Sequence, residues 1–281
     1  GDKPMNKQRR TNLKRLLGVT AVAISATMAL PATAQTWPTK AVRIIVPFAP
    51  GGSTDLVARM VGQKLSTLWG QPVVIENRAG AGGNVGADLV AKAPADGYTL
   101  LMASGSITIN PHIYKNMPFD TAKDLVPITN VASGPMLVVV PESSPVKNVK
   151  ELIDLAKANP GKVNFGSAGV GSPVHLAAEN FADAAGIDIA HVPYRGEAPA
   201  YADLIGKQIQ MMVGNYAAAS ALLGHGRLRG RLRRAVDAAG DVDRQHVVLL
   251  VAHEIEHAAL VDRVQFPELG GQAARRCRGR A

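Results

Sequence analysis

Three glycine-rich turns hold the residue types and spacing best suited to gripping an anion. They are Pro47-Phe48-Ala49-Pro50-Gly51-Gly52-Ser53-Thr54-Asp55, Gly80-Ala81-Gly82-Gly83-Asn84 and Gly166-Ser167-Ala168-Gly169-Val170-Gly171-Ser172-Pro173. Each follows a short β-branched run and leads into a segment with helical spacing. Glycine lets a backbone approach a ligand closely, and the unbonded N–H groups of a helix start favour negative charge. In open α/β sheets, ligands bind at the carboxyl ends of the strands. Two turns from the first half of the chain and one from the second are therefore expected to face each other across a cleft. Asp55 is placed to cap or charge the first turn of its helix.

Other chemistries find less support. The run 80–86 resembles a dinucleotide fingerprint but has Val85 where the third glycine belongs, and no phosphate-binding G-x-x-x-x-G-K-[ST] occurs. No cofactor is expected. No G-x-S-x-G surrounds any serine, so Ser-His-Asp hydrolysis lacks its nucleophile setting. His175 and His191 read as packed or hydrogen-bonded side chains. Arg195, in Tyr194-Arg195-Gly196, suits either a ligand carboxylate or a surface salt bridge. The competing motif is His253-Glu254-Ile255-Glu256-His257, an H-E-x-x-H. On a helix it would place His253 and His257 on one face for zinc, with Glu254 as general base. The apolar flanks 247–251 and 258–261 fit such a helix. The third ligand is missing, because Leu260 and Arg263 stand where Gly and His would be needed and nothing acidic follows Glu268. A zinc hydrolase is thus the alternative reading; the leading one is non-enzymatic and metal-free.

The elements that must position the turns alternate. Strands are expected at 41–48, 72–76 and 98–103, with helices at 54–68 and 84–93. A second round follows, with strands at 136–140, 163–166, 189–194 and 209–213 and helices at 149–159, 174–185 and 198–206. Strands alternating with helices predict an α/β fold with a mostly parallel sheet. The break between rounds divides the chain into lobe 1 at 35–132 and lobe 2 at 133–225.

Charge separates this body from the two ends. The net charge of +9 is not on the lobes: residues 35–225 carry fourteen Lys/Arg and fourteen Asp/Glu. A nucleic-acid binder should carry its positive charge on the contacting domain, so that partner is excluded. Residues 1–34 join a basic stretch, an apolar run at 16–30 and Ala32-Thr33-Ala34. This is the pattern of a secretory signal, with cleavage expected after Ala34. Fifteen apolar residues span about 22 Å as a helix, short of the roughly 30 Å needed to cross a bilayer. Cys277 is the only cysteine, so a fold in an oxidising compartment must rest on its core.

From residue 226 the composition changes to eleven Arg and no Lys, without strand-turn-helix punctuation. An Arg-heavy, Lys-free tail is what a shifted reading frame in GC-rich DNA would yield. Resequencing the coding DNA tests this: a frame offset near codon 226 is expected, and an unbroken frame encoding the tail ends the idea.

The segments WPTKAVRIIVPFAPGGSTD, VIENRAGAGGNVGADLVAKAPADGYTLLMAS, INPHIY, FGSAGVGSPVHLAAE and HVPYRGEAPAYADLIGKQIQMM, spread over 37–224, resemble the Bug (TctC-like) family of tripartite tricarboxylate transporter receptors. The resemblance implies a two-lobe periplasmic-binding-protein-like fold that closes on a small carboxylate. The class includes dicarboxylates, tricarboxylates, amino acids and aromatic acids. The implied partners are the membrane subunits of such a transporter, and the implied state is a periplasmic monomer. Carried over by position, Ala49, Gly51, Gly52, Ser53 and Asp55 make the first grip. Ala81 and Gly82 make the second, beside Ser104 and Ser106. Ser167, Ala168, Gly169 and Ser172 close from the other lobe, with Tyr194, Arg195 and Gly196 at the rim. A ligand-binding sensor would share this design. Gly214 departs from the family, many members of which have an acid before the residue matching Asn215. Members also continue past position 223 with elements that return to the lobes, a pattern not visible in this tail.

Overall fold

A computed structural model describes residues 37–231 and 244–252. Among the described residues nine strands, numbered in chain order, form one sheet. In lobe 1, β1 (Val42–Val46) lies between β2 (Val73–Asn77) and β3 (Thr99–Ser104), all parallel. Four of the five β1 residues are buried and all six of β3 are, as expected for central parallel strands covered on both faces.

Helix α1 (Ser53–Trp69) follows the first glycine turn and ends at Gly70, whose φ of 64° supplies the left-handed stop. A 3₁₀ turn (Ala81–Gly83) and α2 (Asn84–Ala91) follow β2. Helix α3 (Ser106–Ile113) starts immediately after β3, in a stretch for which the sequence predicts no helix, and a single helical turn, α4 (Thr121–Asp124), precedes β4. Ile45, Leu101, Val90, Ile107 and Phe119 form this lobe's core.

The long strand β4 (Leu125–Pro141) belongs to both lobes. Up to Pro135 it pairs antiparallel with β9; from Met136 it pairs with β7 (Met211–Asn215). Lobe 2 continues with α5 (Val149–Ala158), β5 (Asn164–Ser167), α6 (Pro173–Ala185), β6 (Ala190–Pro193), α7 (Glu197–Ile205) and α8 (Tyr216–Gly224). The two-residue period of strands sorts its side chains into two cores. Met136 and Val140 face Leu152, Ala178 and Phe181, whereas Leu137 and Val139 face Ala200, Leu204 and Ala219. Phe48, from the first turn of lobe 1, is 6% exposed and packs into the first of these clusters beside Phe165, Val174 and Met211.

The segment after residue 226 contributes more than its composition suggested. Strand β8 (Leu228–Arg231) pairs with β4, and β9 (Arg244–Ala252) inserts between β3 and β4. Residues 247–251, expected to flank a metal-binding helix, are therefore strand. A β-branched apolar run suits either state, and pairing on both edges decides it here. His253 and His257 lie outside the described residues.

The two histidines of lobe 2 are packed against one another. His175 and His191 stack with ring centroids 4.0 Å apart, and Phe165 stacks on His191 at 4.8 Å. Burial lowers both, with the neighbouring His175 adding to the effect on His191, which falls to about 4. Above pH 6.5 both folded and unfolded chains hold these rings neutral. Below it the unfolded chain takes up the proton first, so stability drops by up to about 1.4 kcal/mol per pH unit per histidine until the folded ring titrates. Urea midpoints at pH 7 and pH 5 should show this fall, and His191→Asn should flatten it. An unchanged midpoint would contradict the neutral stack.

Candidate functional site

Four helices begin around one narrow pocket between the lobes. Helix α1 enters from lobe 1 behind Gly52, which is extended and offers no side-chain cap. Helix α6 starts behind Ser172, whose hydroxyl accepts the His175 N–H, with Pro173 in the first turn. Helix α7 starts behind Gly196 and α8 behind Asn215. Gly52, Ser53 and Thr54 line the lobe 1 side; Ala168, Ser172, Glu197 and Asn215 line the lobe 2 side. Each helix start carries roughly half a positive charge, so their convergence creates a positive potential that suits an anion.

One buried acid sits in this field. The Glu197 carboxylate accepts the Ser53 N–H across the lobes at 2.9 Å, the Asn215 N–H at 3.2 Å, and the Asn215 side-chain amide. The Asn215 amide also donates to Ser53 Oγ at 3.2 Å. Glu197 and Asn215 are each 4% exposed.

Around the cavity the lobes meet through backbone. The Ala49 N–H donates to the Arg195 carbonyl at 2.9 Å, and Tyr114 Oη donates to the Val170 carbonyl at 3.0 Å. Gly82 has a φ of 61°, and a Cβ there would lie 2.1 Å from the Val170 oxygen. At Gly196 a Cβ would lie 2.8 Å from the Ala49 nitrogen. Glycine is required at both because main chain approaches main chain. On the lobe 1 side, Asn110 donates to the Gly82 carbonyl at 3.1 Å and to Asn84 Oδ1 at 2.7 Å, bracing the second turn.

The residues singled out from sequence divide into three groups. Gly52, Ser53, Ala168 and Ser172 line the cavity. Ala49, Gly82, Gly169 and Gly196 form the seam between lobes, Gly51 approaches Ala198 there, and Ala81 is exposed beside Gly82. The others are engaged within their own lobes. Ser104 and Ser106 hydrogen-bond each other at 3.0 Å, and Ser167 bonds His191 at 2.6 Å. Asp55 does not line the cavity. Its carboxylate accepts from Gly51, Arg59 and Asn77. Burial alone would push it up, but these partners together hold it below the ordinary carboxylate range. Tyr194 turns its hydroxyl to Asp203 at 2.7 Å, and burial with that carboxylate raises the phenol to about 12. Arg195 is exposed and contributes its carbonyl rather than its guanidinium to the seam. Both rim side chains therefore stand away from the cavity. Gly214 has no room for an acid, since Tyr201 Oη would lie 2.0 Å from a Cβ there.

Sequence reasoning missed Glu197. An acid in the first turn of a helix reads as dipole compensation, and the fragment HVPYRGEAP gives no sign that it is buried. Asn215 was noticed only by its position in the family pattern. Two consecutive signals pointed to it: a buried β-strand run ending on a helix N-cap residue type. The Gly82 contact yields a direct test. Gly82→Ala must push the second and third glycine turns apart. Small-angle scattering should then show a larger ligand-free radius of gyration, with a melting temperature lowered by only a few degrees. An unchanged radius would mean the seam does not depend on this contact.

Among the described residues no group of three or more His, Cys, Asp or Glu is placed to hold a metal, and no helix is long and apolar enough to cross a membrane. Residues 57–238 match the model of the tripartite tricarboxylate transporter family receptor. The chain is 39% identical to the protein BugT of Bordetella pertussis over 221 residues, covering 78% of this chain and 68% of BugT. It spans 60%, 68% and 61% of the lengths of three curated relatives. Among solved structures, R. palustris Rpa4515 with adipate is 33% identical at a TM-score of 0.76, covering 81% of this chain and 82% of that one. MatC from Rhodopseudomonas palustris with bound malate is 25% identical at a TM-score of 0.72, covering 80% and 82%. The two-lobe α/β architecture is that of solute-binding receptors. Matched over most of its length, with both lobes and their facing turns in place, the chain belongs to the tripartite tricarboxylate transporter receptor family.

Proposed function

We propose that this chain is a periplasmic receptor that holds a small carboxylate between its lobes and passes it to the membrane subunits of a tripartite tricarboxylate transporter. The observation that carries this reading is the convergence of four helix N-termini, from both lobes, on one cavity. Backbone N–H groups bind an anion without bringing in counter-charges, so release needs only that the lobes part. The roles of Gly52, Ser53, Ala168 and Ser172 in gripping the ligand belong to this proposal, and so do export and removal of residues 1–34. The relatives solved with adipate and malate support a carboxylate class.

The experiment is calorimetry of the purified chain against adipate, malate, citrate, aspartate, glutamate and benzoate. At least one is expected to bind with a Kd of about 1 μM or tighter, or roughly −8 kcal/mol. A folded protein that gives no heat and no thermal shift with any of them would rule out the carboxylate reading.

A further inference from the structure

Among the described residues, Glu197 is the only ionisable side chain on the wall of the cavity. Its hydrogen-bond partners among the described residues are the neutral N–H groups of Ser53 and Asn215. It thus occupies part of the anion-favouring field with a fixed negative charge. A second acceptor stands beside it: Asn215 Oδ1 is buried and receives no hydrogen bond. A buried acceptor left unpaired is costly, so a ligand group that donates there gains by satisfying it. The α1 and α6 starts offer donors, whereas Glu197 and Asn215 Oδ1 offer acceptors. The wall is therefore divided by charge.

We infer that Glu197 is a specificity-determining residue: it selects carboxylic acids that also carry a hydrogen-bond-donating cation, such as a protonated amine, over dicarboxylates of the same length. The inference rests on the carboxylate-binding reading and refines it. A second ligand carboxylate brought to this wall would meet a like charge in a low-dielectric site. An ammonium would instead receive acceptors from both Glu197 and Asn215. Sites built to pair a ligand N–H discriminate strongly against analogues that lack it, because the buried acceptors then go unpaired.

Matched pairs differing only at one end provide the test: adipate against 6-aminohexanoate, glutarate against 5-aminopentanoate, and succinate against 4-aminobutyrate. Calorimetry of the wild-type chain should show the amino acid bound at least tenfold more tightly in the pair of best-fitting length. Glu197→Gln keeps an oxygen acceptor for the Ser53 N–H and removes the charge. It should reduce that preference tenfold or more and strengthen dicarboxylate binding. A wild-type preference for the dicarboxylate overturns the inference without any variant. So does a preference that Glu197→Gln leaves unchanged while both ligands still bind. If neither member of any pair binds, and the broader carboxylate panel also fails, it is the carboxylate reading that has failed. If the panel succeeds while all the amino-terminated ligands fail, only the role of Glu197 is lost.

Discussion

Helix starts leave backbone N–H groups without intrahelical partners, and a buried N–H must find an acceptor. This chain buries four such starts at one place. Everything near the cleft follows from supplying acceptors there. The Ser172 hydroxyl answers for α6, and the Glu197 carboxylate answers for α1 across the lobes. Because lobe 2 answers a requirement of lobe 1, closure of the lobes and satisfaction of the helix start are one event. Under the proposed function a ligand anion would compete for the same hydrogens, coupling binding to domain geometry.

The glycines act on distance rather than on flexibility. Gly82 against Val170 and Gly196 against Ala49 let main chains touch where any Cβ would hold them apart. The strand β4 joins the lobes, changing partner between Pro135 and Met136 without leaving the extended state. Irregular register at Pro127/Thr129 and Asn130/Ala132 loosens the lobe 1 half of that strand.

The parallel strands and the three glycine turns were legible because β-branched runs and glycine clusters act locally. Gly52, Ser53, Ala168 and Ser172, named by carrying the family pattern onto those turns, line the cavity. Asp55 was read as a helix-start residue and, from the family pattern, as part of the first grip; the structure places its carboxylate at the helix start, bonded to Gly51 and Arg59 and off the cavity wall. The misses at the cleft are long-range. Nothing near Glu197 in sequence announces that Ser53, 144 residues away, will donate to it. Tyr194 and Arg195 looked available because their spacing placed them at a strand end. Asp203 on the next helix claims the phenol, and the main chain of Arg195 does the work expected of its side chain. In the segment after residue 226, arginine-rich composition masked a run that becomes strand only because β3 and β4 present unpaired edges on either side.

The position of β9 has a consequence for how the molecule is made. In lobe 1, β3 and β4 are joined only by residues 244–252, although β3 was completed at residue 104. The whole of lobe 2 lies in between. Pairings so far apart in sequence are slow to form, because a long loop must close before any contact repays it. Lobe 2 up to β8 can assemble from neighbouring segments. Lobe 1 must wait with two exposed strand edges, and during that interval it is the half of the molecule most open to chaperones, to proteases and to other copies of itself.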